Sequence, residues 1–154
     1  MIELDQSTGS VIACILRSME TQVAPYIWSV PEGFKTPSVY FPPEELDTQG
    51  FTLEEFRVIH TMYIVFFGDA LRQAHRMAAR ANADIHIMRD RIPVIEEDGA
   101  PNGKYLHARD MNVRTIDEDG AAVQLSITWD THHRYYRPKA KKIMKFYPEI
   151  FLKN

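Results

Sequence analysis

The stretch from Arg57 to Phe67 limits the fold of this chain more than any other. It reads Arg-Val-Ile-His-Thr-Met-Tyr-Ile-Val-Phe-Phe, a β-branched and aromatic composition that fits a strand buried on much of both faces. From Leu71 the apolar residues instead recur at helical spacing, which predicts a helix over 69–83. Gly68 ends the strand, and Asp69 is expected to cap the helix. A central strand covered by the helix that follows it is therefore the predicted core.

Upstream of this unit, residues 7–23 carry an apolar stripe at helical spacing and predict a first helix, capped by Ser7 or Asp5. Two short strands are predicted at 26–30 and 36–41, joined by a Pro-Glu-Gly turn. Pro37 cannot donate to a β-ladder, so the second strand is expected to start there or to lie at an edge. The acidic segment 44–52 is interpreted as a loop.

Downstream, residues 84–88 and 92–95 are interpreted as short extended pieces, and 96–103 as a long acidic loop. Strict apolar–polar alternation over 123–130 predicts a half-exposed strand. Its partner is predicted at 105–116, with Met111 and Val113 inward, and Gly120 is expected to take a positive φ in the turn. The fold class is thus a single α+β domain over 1–136, with two helices on one face of an antiparallel or mixed sheet and a C-terminal hairpin.

Charge is distributed unevenly along the chain. From Arg134 onward there are seven Lys and Arg residues and one acidic residue, a net charge of +6. Because the whole chain has a net charge of −3, the first 133 residues have a net charge of −9. A body and a basic, aromatic extension (137–154) of opposite sign suggest contact with a charged neighbour, of which another copy of the chain is one candidate. The residues expected at such an interface are Glu44, Glu45, Asp47, Glu96, Glu97, Arg137, Lys139, Lys141, Lys142, Lys145, Tyr147 and Phe151.

No recognisable catalytic, cofactor or metal motif occurs in the sequence. Gly-rich phosphate loops, Gly-x-Ser-x-Gly and His-Glu-x-x-His are missing. The single cysteine, Cys14, excludes an internal disulfide and is expected to be a buried thiol. His132 and His133 would point to opposite faces of a strand, and an Asp84–His86 pair lacks further ligands. No membrane span or signal peptide is expected, which favours folding in the cytosol.

Residues 26–41 read Tyr-Ile-Trp-Ser-Val-Pro-Glu-Gly-Phe-Lys-Thr-Pro-Ser-Val-Tyr-Phe, and this segment resembles one in the tail terminator proteins of long-tailed bacteriophages. In that family two aromatic strands flank a Gly-Phe-Lys-x-Pro turn. A long strand, a helix and a terminal hairpin with an Asp- and Gly-rich turn follow, as 57–67, 69–83 and 117–120 do here. The resemblance covers about residues 1–136, although 84–104 and the extension are longer than in the family.

The resemblance implies a structural virion protein without catalytic residues. It would form a six-fold ring at the tail–neck junction, cap the tail tube and end its polymerisation. Its partners would be other copies of itself, the tail tube protein, the head–tail connector or neck protein, and the sheath if the tail contracts. DNA would only pass through the ring. Alternatives are another neck or head–tail joining protein, a small enzyme, or a nucleic-acid-binding module that uses the basic extension.

Overall fold

The structure is a computed structural model, and it describes residues 5–136. Within this range, each of two helices is followed by a run of four strands, an order that is typical of an α+β fold. The elements are α1 (Gln6–Arg17), β1 (Ala24–Ile27), β2 (Ser38–Phe41), β3 (Glu45–Gly50), β4 (Glu55–Phe67), α2 (Leu71–Ile87), β5 (Arg91–Ile95), β6 (Pro101–His107), β7 (Arg109–Asp117) and β8 (Ala122–Arg134).

Two long antiparallel strands, β4 and β8, form the centre of the sheet. Their pairing is unbroken over thirteen residues, from Glu55 opposite Arg134 to Phe67 opposite Ala122, a length of about 40 Å. The strand order is β1-β2-β4-β8-β7, and β3 pairs with the other half of the β4 edge that β2 uses. Only β1 and β2 are parallel within this described sheet, so the sheet is mixed.

The hydrophobic core lies on one face of this sheet, between the strands and both helices. Alternate residues of β4 and β8 point inward, and four small or branched residues of α2 (Ala74, Ala78, Ala81 and Ile85) pack onto them with α1. Alanines allow α2 to approach the strands closely. The predicted fold class is therefore confirmed. The inward residues of the strands and α1 are Val11, Ile12, Ile15, Met62, Ile64, Phe66, Val123, Leu125, Ile127 and Trp129.

The junction between β4 and α2 differs in detail from the prediction. Ala70 occupies the N-cap position, without a side-chain hydrogen bond. The Asp69 carboxylate instead accepts from the Thr36 hydroxyl, and the Asp69 N–H donates to Gln73 Oε1 over 2.7 Å. The prediction of Asp69 as the cap is wrong, because Asp69 connects the turn to the segment before β2. A Cβ at Gly68 would lie 2.7 Å from both Ala70 O and Ala74 N, so glycine is needed for this close approach.

Helix α1 and strand β1 both end earlier than predicted. Helix α1 begins at the predicted cap, Asp5, whose side chain accepts from Ser7 N. It ends at Arg17, where the Ser18 hydroxyl donates to Cys14 O over 3.2 Å and competes with continued helix. Strand β1 ends before Trp28, whose φ of 71° turns the chain away from extended geometry. The second strand starts directly after Pro37, as expected.

The secondary structure of two segments differs from the prediction. Residues 45–50 form strand β3, not a loop, and every one of them is exposed, so they show no alternation. Residues 84–87 continue α2, not a strand: Ile85 is buried one turn after Ala81, whereas Ile87 is 76% exposed. The predicted acidic loop 96–103 is shorter, because β6 starts at Pro101 and pairs with β5.

The β7–β8 hairpin is confirmed, with a different backbone in its turn. Met111 and Val113 are half-buried against the core, as predicted. Ala121, not Gly120, has the positive φ, 51°. The Gly120 N–H donates to Asp117 Oδ1 over 3.0 Å, which stabilises the turn from the side chain.

The small β5–β6 sheet packs beside α1. Ile95 N donates to Ser10 Oγ, and Gln6 Nε2 donates to Ile95 O, both over 3.0 Å. Cys14 is half-buried against the core, and burial raises the pKa of its thiol. Among residues 5–136, no helix combines the length and apolarity that crossing a bilayer requires.

Candidate assembly surface

One end of the sheet extends as a three-stranded projection, which we call the arm. It comprises β3, residues 51–60 and residues 129–135. Strand β7 pairs with β8 only as far as Thr128, so the arm continues where the hairpin partner has stopped. Tyr135 N donates to Glu54 O over 2.9 Å and extends the pairing to the tip. Helix α1 covers His60 and Trp129 at the base of the arm, and beyond them the arm presents both faces of a short sheet to its surroundings.

The tip of the arm is an ordered turn that displays apolar side chains. Thr52 Oγ1 accepts from Glu54 N and Glu55 N at 3.2 and 2.9 Å, while Phe51 N and Thr52 N both donate to Glu55 O. Leu53 is 94% exposed and Phe51 54% exposed in this turn. A backbone turn held by its own hydrogen bonds loses little freedom when these side chains meet a partner. The arrangement is typical of a protein contact surface.

The two neighbouring histidines of the arm pack against aromatic rings. His133 stacks on Phe56 with ring centroids 5.4 Å apart, and His132 lies 4.7 Å from Phe51. They occupy opposite faces of β8, as the sequence predicts for adjacent strand residues. Asp84 and His86 lie on helix α2, not on a strand. Within residues 5–136, no group of three His, Cys, Asp or Glu residues could hold a metal ion.

The predicted acidic interface residues occupy different environments. Glu45 and Asp47 are exposed on β3. The Glu44 side chain is only 12% exposed, because its Oε1 accepts from Thr8 Oγ1 at 2.9 Å. Glu96 accepts from Gln6 Nε2 at 3.5 Å, and with Glu97 it lines a pocket at the start of α1. Helix α1 thus brings Glu44 and Glu96, distant in sequence, to its first turns.

The basic and aromatic residues predicted at the interface belong to the extension. They lie outside the described residues, and their interface role stays a prediction. These are Arg137, Lys139, Lys141, Lys142, Lys145, Tyr147 and Phe151.

On the sheet face away from the helices, charged side chains are paired with one another. Asp130 Oδ1 accepts from Arg109 Nη2 at 2.8 Å, and Asp130 Oδ2 lies 4.0 Å from Arg57 Nη1. The hydrogen bond to Asp130 raises the pKa of Arg109. Arg57 also donates to Gln49 Oε1 over 2.9 Å. Both arginines are therefore occupied by internal partners and offer little unpaired charge for phosphate groups.

A buried polar network joins the arm to α1. The His60 ring stacks on Trp129 at 5.0 Å, and Trp129 Nε1 donates to Ser7 Oγ over 3.0 Å. His60 Nε2 is hydrogen-bonded to Thr131 Oγ1 at 2.8 Å. His60 Nδ1 lies 3.7 Å from Glu44 Oε1, too far for a direct hydrogen bond. Burial lowers the pKa of His60, against the opposing charges of Asp5 and Glu44, and nearby His133 lowers it further.

This lowered pKa predicts a loss of stability in mild acid. Between the folded pKa of His60 and its ordinary value of about 6.5, the unfolded chain binds more protons, so the free energy of unfolding falls as the pH drops below that value. Chemical denaturation at pH 7.5 and 5.5 measures the effect. We expect a smaller pH difference in His60→Gln than in the unchanged protein or in His75→Gln, which alters an exposed histidine of α2. An unchanged difference in His60→Gln would contradict this assignment.

Comparison with known proteins connects this chain with a phage-like element. It is 25% identical over 134 residues to the phage-like element PBSX protein XkdJ of Bacillus subtilis (strain 168), covering 87% of this chain and 89% of that protein. This chain is similar to a phage-related protein. The chain is also 25% identical over 143 residues to the uncharacterized protein YqbJ of the same organism, covering 93% and 95%. No family model matches.

A solved structure of a native gene transfer agent (GTA) particle virion contains a chain with 14% identity and a TM-score of 0.49, covering 83% of this chain and 94% of its own length. The phage relation expected from the sequence is supported by the PBSX similarity. Neither relative's name specifies a tail terminator.

Proposed function

We propose that the chain is a structural virion protein that caps the phage tail tube as a ring, ends tail polymerisation and joins the tail to the head or neck. The observation that carries the proposal is the similarity, over 87% of this chain, to a protein of a phage-like element. The resemblance of residues 26–41 and of the element order to tail terminators supports the specific role. The ordered arm with its exposed apolar tip supplies a surface suited to assembly.

A ring imposes a requirement on the contact between copies. Each copy must use two different surfaces, one for each neighbour, and the rotation between copies must close. The acidic body and the basic extension are surfaces of opposite sign. In this proposal Glu45, Asp47 and Glu97 of one copy face the extension of the next, and Tyr147 and Phe151 add apolar contact area.

The partners follow from the position at the tail–neck junction of the virion. One ring face would contact the tail tube protein, and the other the connector or neck protein. A sheath would be a further partner if the tail contracts, and DNA would pass through the ring. A neck protein that joins head and tail without contacting the tube is the alternative, and binding to tube ends distinguishes the two.

The experiment measures the mass of the purified protein by light scattering, alone and with its tail tube protein, and inspects the particles by negative-stain microscopy. A closed ring, formed alone or on tube ends, is the expected result. A monomer that ignores tube ends would contradict the proposal. A ring that binds no tube would favour the neck alternative.

Reversal of the charge on the extension is expected to weaken this association. Lys141→Glu with Lys142→Glu changes the net charge by −4, and we expect at least a tenfold rise in the concentration needed for ring formation, because close opposite charges become like charges. The effect should decrease at high salt. The matched control is Lys35→Glu with Lys104→Glu, the same change at exposed positions of the body. Equal behaviour of the two variants would remove the extension from the interface.

A further inference from the structure

A small pocket lies far from the arm, where the residues after α1 meet the first half of α2. Met19, Thr21, Gln73 and Met77 contribute to its lining, and its volume is about 110 Å³. A cavity of about 150 Å³ with aliphatic walls holds benzene, so this pocket has room for the four-carbon side chain of a leucine. Methionines adapt their shape to an entering group.

The exposed leucine at the arm tip matches this pocket in size and character. Leu53 is 94% exposed on a turn that three hydrogen-bonded neighbours hold in place. An isolated surface leucine needs no explanation, but Phe51, two residues away in the same turn, is also exposed. The chain therefore presents an apolar projection and a recess of comparable size, in which Met19 and Met77 are flanked by polar side chains that include the Glu20–Arg80 ion pair.

The projection and the recess lie at opposite ends of the molecule. Leu53 comes just before β4, whereas Gln73 and Met77 follow its other end, after the tight turn at Gly68. Strand β4 spans about 40 Å, and α2 rises about 9 Å from Leu71 to Met77 as it packs back over the sheet, so roughly 30 Å separates Leu53 from the pocket. A copy cannot fill its own pocket over that distance, so the leucine that fits must belong to a second copy. Such a contact is head-to-tail, the type that closes into rings.

The charges around the two surfaces are complementary. Residues 44–55 contain five acidic residues and no Lys or Arg. Helix α2 carries Arg72, Arg76 and Arg80 against Asp84. Arg80 is paired with Glu20, but Arg72 and Arg76 make no ion pair within residues 5–136. An acidic tip that approaches this rim is attracted to it, and the wrong orientation is disfavoured.

We propose that Leu53 of one copy enters the α1–α2 pocket of the next copy, with Arg76 at the pocket rim facing the acidic arm. The inference rests on the proposed ring, and it identifies the two surfaces that the ring uses. The basic extension then strengthens a contact whose position is set by the arm and the pocket.

Disulfide cross-linking tests this contact directly. Leu53→Cys and Thr21→Cys are combined in a Cys14→Ala background and oxidised mildly at a concentration where light scattering detects the oligomer. A disulfide needs Cβ atoms about 4 Å apart, so the expected result is a covalent ladder that ends in a closed species. The matched control pairs Leu53→Cys with Ile87→Cys, an exposed position at the other end of α2, and should give no ladder.

A second pair of variants covers the case in which the cysteine protein folds poorly. Leu53→Asp should raise the concentration needed for association at least about tenfold, because a leucine that the proposed contact buries is replaced by a charge. Ile87→Asp, a change of the same kind at another exposed site, should leave association unaltered. A ring that forms without a ladder and tolerates Leu53→Asp overturns this contact and leaves the proposed function standing. A protein that stays monomeric even with tube ends overturns both.

Discussion

Replacement of Trp129 by alanine is expected to lower the free energy of unfolding by about 3–5 kcal/mol. Trp129 is fully buried, its ring stacks on His60, and its Nε1 donates to Ser7 Oγ over 3.0 Å. Removal of the side chain opens a cavity and deprives Ser7 of a donor on the side of α1. Since whole domains are stable by only about 5–15 kcal/mol, the variant is expected to lose a large fraction of its stability.

Chemical denaturation at pH 7.5 measures this loss. Trp129→Phe keeps an aromatic ring for His60 and removes the N–H donor, so it should cost less than the alanine variant. Trp28→Ala is the control, because Trp28 is half exposed and lies outside the core. If Trp129→Ala and Trp28→Ala had the same stability, Trp129 would not link α1 to the sheet as described.

Gly68→Ala is expected to cost about 1–3 kcal/mol. The added Cβ would lie 2.7 Å from both Ala70 O and Ala74 N, closer than any ordinary carbon contact. Because both atoms belong to the backbone of the turn and of α2, relief requires the helix to move away from the sheet. The core layer of Ala74, Ala78 and Ala81 would then lose contact with β4.

The control for this substitution has the opposite sign. Gly9 lies inside α1, and a Cβ added there has no neighbour within 4 Å. Gly9→Ala is therefore expected to stabilise the protein by about 0.5–1 kcal/mol, since alanine is the better helix former. Equal effects of the two glycine replacements on the denaturation midpoint would contradict the close approach at Gly68.

The core of the fold could be predicted from the sequence because burial leaves a pattern there. Residues 57–67 and 123–130 face a core, so their composition and alternation reveal strands, and the Ala-rich period of α2 reveals a covering helix. The hairpin turn was found through its Asp and Gly residues. Residue propensity predicts the positive φ at Gly120, but Ala121 adopts it. The register of the two strands decides which residue of the turn takes this conformation, and it outweighs the local preference for glycine.

The arm could not be predicted in the same way. Strand β3 has no buried face, so Glu45–Gly50 shows neither alternation nor β-branched enrichment, and only pairing with β4 makes it a strand. Leu53 was missed for the same reason, since a leucine within an acidic segment has no periodic partner. The one available signal is the apolar pair Phe51 and Leu53 within a segment that is otherwise polar and acidic. Glu44 shows the opposite error: it is predicted at an exposed interface, but its carboxylate accepts a hydrogen bond from Thr8 and is largely buried, and the sequence does not reveal this contact.

The uninterrupted pairing of β4 with β8 has a consequence for size. The register contains no bulge from Glu55 to Phe67, so no irregularity of pairing bends β4 where the arm leaves the body. In a ring built through Leu53 and the α1–α2 pocket, the length of these strands sets the distance between the two contact surfaces of each copy. That distance determines the spacing of neighbouring copies and hence the diameter of the central channel. A two-residue change in both strands preserves the facing of every side chain and alters the spacing by about 7 Å.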